Sequence, residues 1–332
     1  MRNIFFTLFF IYSTAAFTQQ WQDVGGGIDL WVNVMKVDTV SDLLYVGGDF
    51  SSAGGISANS IAKWDGTTWQ IIGNNEKFSG VGSINDIAFF NGDLIVAGLF
   101  DSVGNTKVNN IARFDGTQWQ PISYGFDDEV YALEVFNGEL YAGGTFFHSG
   151  LDTTPHIAKW NGNVWQPVGD GLFGGYVFSL KAFNNKLCVG GQGFYSLSQS
   201  LPCVAIWDNI TWQPLGNGFN NYVGKLNVFQ NELYAVGDFT PWAMNPSTRI
   251  SRWDGNAWQS MPFPTGGTDQ RITDLCEYNN KMYVCGFFNN PPDLARYNGI
   301  DYDSLCDVTG FINNLAVYKN ELYVGGLFNA IN

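Results

Sequence analysis

Along residues 130–136, VYALEVF, apolar and polar side chains alternate as a half-buried strand requires. An Asn-Gly pair at 137–138 interrupts the alternation, and ELYAGGTF follows as a second strand. Asn-Gly suits a two-residue hairpin turn, because both central residues need positive φ. A longer loop leads to HIAKW, and a short turn then leads to VWQPVG. Four strands, a to d, are predicted.

The group recurs. The stretches LLYVGGDF, DLIVAGLF, ELYAGGTF, KLCVGGQGF, ELYAVGDF, KMYVCGFF and ELYVGGLF align on Gly48, Gly98, Gly144, Gly191, Gly237, Gly286 and Gly326. Their spacings are 50, 46, 47, 46, 49 and 40 residues. Six copies of the c–d segment stand between them: IAKWDGTTWQ, IARFDGTQWQ, IAKWNGNVWQ, AIWDNITWQ, ISRWDGNAWQ and ARYNGIDYD. Four strands at this period predict an all-β fold, a β-propeller of seven blades of four antiparallel strands. One blade cannot bury its apolar faces alone, so its aromatics recur in register with those of its neighbours.

Composition agrees with short strands and tight turns rather than helices: aromatics make up 16% of the chain, charged residues only 14%, and glycines number 40. The formal charge of −14, with no basic run, excludes nucleic acid and anionic membranes as partners. At the N-terminus, Arg2 precedes an apolar stretch over residues 4–12, and small residues follow. This reads as a signal peptide, residues 1–18, cleaved after Ala16 or Thr18 and too short for an anchor. Residues 19–332 are then one exported, soluble domain with no membrane insertion, expected to be a monomer. Of the five cysteines, Cys188 and Cys203 lie on consecutive predicted strands where a bridge can form, and Cys276, Cys285 and Cys306 cluster later. Most read as small buried apolar side chains, and no spacing suggests a metal or another cofactor.

A glycine-paired strand followed by an aromatic and a tryptophan across a turn resembles Kelch-type propellers. The residues that carry it are Gly47-Gly48, Gly143-Gly144 and Gly325-Gly326, with the pairs Trp64/Trp69, Phe114/Trp119, Trp160/Trp165, Trp207/Trp212 and Trp253/Trp258. The form GGxF…IAxWDGxxW is similar to repeats of exported bacterial surface proteins and of a fungal cortical polarity-marker family. The ring has a seam. QWQDVGGG begins the mature chain as a d-strand, and NNLAVYKNELYVGGLFNAIN ends it as an a and a b. The last blade is therefore expected to be incomplete or closed by the N-terminal strand. The chain reads as a piece of a longer surface protein.

The WDG turn invites comparison with the Asp-box of propeller sialidases, but Asp65 is followed directly by Gly66, which breaks that spacing. Lys63, Arg113, Lys159, Arg252 and Arg296 share one repeat position and are expected to make one recurring local pairing. His148 and His156 lie in one b–c loop and read as solvated, as does the acidic run Asp127, Asp128, Glu129. A more informative set starts the a-strands: Trp31, Ser83, Glu129, Tyr176, Tyr222, Arg271 and Phe311. Two residues on come Asn33, Asn85, Tyr131, Phe178, Gly224, Thr273 and Asn313. Rings and amides suit stacking on sugar faces and hydrogen bonding to hydroxyls. Trp31 and Trp242 stand outside the tryptophan repeat, and Trp242 sits in the proline-flanked loop FTPWAMNPST.

The candidate ligand-binding residues are Trp31, Asn33, Tyr176, Tyr222, Trp242, Arg271 and Phe311. The expected function is non-catalytic recognition of an extracellular glycan or surface protein through the face of b–c and d–a loops. One alternative is a polysaccharide hydrolase or lyase using Glu129 or Asp128 at the channel mouth. A structural segment of a longer adhesin is the other.

Overall fold

In the blades that follow the one of residues 31–70, strands a and b are joined by two-residue turns of one type. Both central residues take positive φ: 54° and 87° at Asn91-Gly92, 52° and 76° at Asn137-Gly138, and 48° and 57° at Asn184-Asn185. This is the mirror-image turn that follows the twist of the flanking strands, and asparagine tolerates it better than other side chains do. The computed structural model describes residues 9–12, 20–239, 249–262, 271–287, 293–306 and 308–331. Every regular element among them is a strand.

The chain divides into two units, residues 79–263 and residues 1–78 with 264–332. The first unit holds four blades, spanning 83–121, 130–167, 177–214 and 223–260, each a sheet in the order a-b-c-d. In the blade of residues 130–167, the strands are Val130–Phe136, Glu139–Gly144, Ile157–Trp160 and Trp165–Pro167. The second unit holds the blades of residues 31–70 and 271–306. In the first four blades the b–c loop carries a small hairpin of its own, such as Ser52–Ala53 with Ile56–Ser57.

The expected seven blades are corrected to six. Seven glycine-bearing b-strands suggested the higher number, but a blade of this kind also needs its own c–d hairpin, and the sequence has six. The strands left over form a composite sheet in the order Gln20–Asp23, Phe9–Tyr12, Glu321–Ile331, Val308–Tyr318. Phe9–Tyr12, within the predicted signal peptide, pairs antiparallel with both of its neighbours.

The paired glycines have two separate jobs. At the second, strand a carries a β-bulge, and the register skips one residue: Asn33, Tyr131, Phe178, Gly224, Thr273 and Asn313. The bulge presses the preceding carbonyl onto strand b. A Cβ at Gly144 would overlap the oxygen of Glu129, and one at Gly191 that of Tyr176. At the first glycine the neighbouring blade closes in, and a Cβ on Gly190 would stand 2.8 Å from Val223.

Cores lie between sheets. Trp69, Trp165, Trp212 and Trp258 are buried, and each indole N–H donates to the carbonyl of Val24, Ile122, Val168 or Leu215, 2.8–3.2 Å away. A wide apolar ring is thereby buried without an unpaired donor. Polar pegs also join blades laterally. Asp86 accepts from the Leu133 amide at 2.7 Å, Glu134 from Ala182 at 2.9 Å, and Ser179 from Leu226 at 2.9 Å.

Candidate functional site

Because the bulge turns its residue away from the regular alternation, the start of strand a presents side chains at the ends of the strands. In unit 79–263 these side chains form a continuous aromatic row. Tyr131 meets Phe178 edge-on with centroids 5.3 Å apart, and Phe178 meets Tyr176 at 6.5 Å and Tyr222 at 5.9 Å. The predicted Tyr176 and Tyr222 are thus brought together through Phe178. The row continues onto the b–c loops through His156, 5.6 Å from Tyr176, and Phe147, 5.8 Å from His156. Tyr176 is 42% exposed, so its ring is available to a ligand.

Polar groups beside this row are held in place. Glu129 accepts from the Asn85 amide at 2.8 Å and from the Tyr131 hydroxyl at 2.7 Å. Burial, reinforced by that carboxylate, raises the Tyr131 phenol far above its usual value. Asp127 is no free turn residue: it accepts from the amides of Phe147 and His148, and its other oxygen lies 2.8 Å from the His148 ring. Burial alone would raise Asp127, but these donors together hold it below the ordinary carboxylate range. His156 also departs from the solvated expectation. It is buried, its Nδ1 lies 3.1 Å from the Thr145 carbonyl, and burial lowers its pKa.

In the other unit Trp31 stacks parallel on Phe311 with centroids 6.1 Å apart, and Phe311 meets Phe287 at 4.4 Å. The Arg271 guanidinium lies 4.3 Å over the Phe287 ring, a cation–π contact. Trp31, Arg271 and Phe311 are therefore neighbours, and Asn33 occupies the bulge beside Trp31. Trp242 lies outside the described residues. Phe287, which directly follows Gly286, was not among the sequence candidates, nor were the b–c loop rings Phe147 and Tyr195. Aromatic residues close behind the glycine pair were the available signal.

The WDG turns are built as supports. Asp65 accepts from the amides of Thr67 and Thr68 and from both hydroxyls, which holds its carboxyl far below its usual value. Asp115 accepts from the amides of Thr117 and Gln118 and from the Thr117 hydroxyl, and is lowered to about 2. The recurring basic residue pairs with an acid on strand b in three blades: Arg113–Asp93 at 3.4 Å, Lys159–Glu139 at 3.0 Å and Arg252–Glu232 at 3.2 Å. In the sixth blade Arg296 pairs instead with Asp303 of strand d at 2.8 Å. All five cysteines are free, so Cys188 and Cys203 do not bridge. Burial pushes the Cys188 thiol up to about 12, where it has little nucleophilic character.

Solved structures show the fold. A computationally designed protein, Ika8, is similar at 13% identity and a TM-score of 0.53, over 91% of this chain and 95% of that one. The WD40 β-propeller domain of Doa1 is similar at 12% identity and a TM-score of 0.50, over 97% of each chain. At such identities the likeness establishes a β-propeller and nothing about ligands. No curated protein matches the chain in sequence. A family model described as the Rax2 C-terminal beta propeller domain matches residues 9–186, more than half of the chain.

Proposed function

We propose, for a chain that belongs to the Rax2 C-terminal β-propeller family, a non-catalytic role in recognising a neutral extracellular glycan. The surface used is the face of b–c and d–a loops, with the protein exported through its N-terminal segment. The observation that carries this reading is the aromatic row of Tyr131, Tyr176, Phe178 and Tyr222, with Tyr176 42% exposed. Ring faces stack on the C–H faces of pyranoses, and neighbouring amides and hydroxyls take the sugar oxygens. The excess of acids over bases, 30 against 16, favours a neutral glycan over an anionic one. The Kelch-like repeats and their similarity to exported bacterial surface proteins and a fungal cortical polarity-marker family support a place at the cell surface.

The test is binding of the purified chain to immobilised neutral polysaccharides, compared with the Tyr176→Ala and Trp31→Ala proteins. At least one variant should lose about tenfold in affinity, roughly 1.4 kcal/mol. Unchanged binding in both removes the proposed face. Selective retention of a surface protein in place of any polysaccharide removes the glycan.

A further inference from the structure

The bonds from the d-strand tryptophans place the turns after strand d in one frame. The residue following the accepting carbonyl is Gly25 after Val24, Gly169 after Val168, Gly216 after Leu215 and Ser123 after Ile122. All four have the same backbone, with φ of 56°, 60°, 63° and 56° respectively. At the three glycines a Cβ would strike the tryptophan of the next strand c. It would meet Trp64 at 2.7 Å, Trp207 at 2.6 Å and Trp253 at 2.8 Å. Glycine therefore does two things at this point: it accepts the left-handed backbone, and it lets the tryptophan close over the turn.

Ser123 takes the same backbone without glycine's freedom. Its φ of 56° is one that side chains with a Cβ adopt at a cost, and it carries a side chain at the position where the other three turns carry none. At this point, between the second and third blades, lies a cavity of about 400 Å³, lined by Ser123 and Trp160 among others. Its size falls within the range of small-ligand sites.

The lining has a definite chemistry. Trp160 and Phe90 supply aromatic faces, and Ile122 and Leu140 an apolar floor. Asn163, Asp93 and Arg113 supply polar groups. The Arg113–Asp93 pair is the longest of the three pairs between strands b and c at this repeat position, 3.4 Å against 3.0 and 3.2 Å where the acid is glutamate. The Arg113 side chain remains 44% exposed. A cation and an anion side by side offer donors and acceptors without net charge. That combination suits hydroxyl groups better than it suits an ion. Asn91 and Asn163 place the cavity among the a–b and c–d turns, away from the starts of the a-strands.

We propose that this cavity is a second binding site, for a pyranose residue of a neutral oligosaccharide, and that Ser123 holds it open. The ligand class rests on the glycan reading above, while the location rests on Ser123 and the cavity alone.

The experiment uses the full chain labelled with 5-fluorotryptophan, followed by ¹⁹F NMR, with Trp160→Phe and Trp31→Phe proteins to assign those two signals. The probes are cellotriose, laminaritriose, mannotriose and chitotriose, each titrated to about 10 mM, the range of weak single-site binding. At least one triose should shift the Trp160 signal saturably. Ser123→Gly should weaken that response at least tenfold while raising the unfolding midpoint by about 2 °C, because the strained position is relieved. Tyr176→Ala should leave the Trp160 response intact. If a triose moves the Trp31 signal but not Trp160, the second site is refuted and the glycan reading stands. If no signal moves with any triose, both fail. Unaltered affinity in Ser123→Gly refutes the role of the serine.

Discussion

The c–d hairpins and the starts of the a-strands recur together through the blades, yet they vary in opposite ways. Each described hairpin repeats the same contacts: an Asp or Asn accepts from the turn amides, as Asp65, Asp115, Asn161, Asp208 and Asp254 do. Its d-strand tryptophan is buried at Trp69, Trp119, Trp165, Trp212 and Trp258, and the indoles of Trp69, Trp165, Trp212 and Trp258 donate to the turn that follows the preceding strand d. The starts of the a-strands share a bulge and a glycine partner, but their side chains change from Trp31 to Glu129 to Tyr176 to Arg271. One segment has its side chains set by packing. The other has only its backbone set, which leaves its side chains free for recognition. The difference separates support from surface more sharply than conserved-looking tryptophans do.

The largest break in this contrast comes from removing a support. Trp212 is 1% exposed and donates to Val168 at 2.9 Å. Trp212→Ala should cost about 4 kcal/mol in denaturant unfolding, as full truncations of buried aromatics do. A loss of under about 1 kcal/mol would show that the hairpin is not the support it is taken to be.

Next in size is the glycine beneath the bulge. A Cβ at Gly144 meets the backbone of Glu129 and Val130 rather than a movable side chain. Gly144→Ala should therefore cost about 3 kcal/mol, at the upper end of overpacking. It should also weaken glycan binding, because the bulge that presents Tyr131 must shift. Gly138→Ala, in an open a–b turn, meets nothing within 4 Å and strains only its φ of 76°, so its cost should be about 1 kcal/mol. Equal losses at the two positions would dissolve the distinction between close approach and turn geometry.

These particulars show how far residues alone reach. The alternation in VYALEVF and the Asn-Gly turn gave strands a and b directly, because both signals are local. The count of blades did not follow from the glycine strands, since Gly326 lies on a strand whose sheet is finished by Gln20–Asp23 and Phe9–Tyr12. That Tyr176 and Tyr222 occupy matching positions was legible, because each immediately precedes its strand a. Phe178 as the ring between them was not singled out, because two of its three ring contacts join side chains 47 and 44 residues away in sequence, Tyr131 and Tyr222. Phe287 under Arg271 is its direct partner across the a–b hairpin, and its place just after Gly286 was the signal available for it. Ser123 stands apart only once the indole bonds show which turn residues are equivalent.

A smaller effect tests the recognition side of the comparison. Tyr176 is 42% exposed, so Tyr176→Ala should leave stability within about 0.5 kcal/mol of the parent. Glycan affinity should nevertheless fall about tenfold. A stability loss as large as that of Trp212→Ala would make Tyr176 a support as well.

The smallest effect is a difference in pH dependence between the two segments. His156, buried beside the aromatic row, has its folded pKa below the ordinary 6.5 because burial disfavours its charged form. The unfolded chain therefore binds more protons just below pH 6.5, and stability should fall as the pH drops through that window. Asp115 in the c–d turn is opposite in origin. Hydrogen bonds from Thr117 and Gln118 favour its charged form and lower it from 3.8 to about 2. Its contribution is complete above pH 3.8 and is lost between there and about 2. His156→Gln should flatten the stability profile only below pH 6.5 and above the carboxylate range. Asp115→Asn should flatten only the more acidic limb. Because Asp115 is exposed and held mainly by the amides of Thr117 and Gln118 and the Thr117 hydroxyl, with the charge of Arg113 a lesser cause, its limb should also shrink in high salt less than an ion pair's would. A profile in which both substitutions act on the same limb would mean that loop and hairpin unfold as one titrating unit, and the division between support and surface would have to be redrawn.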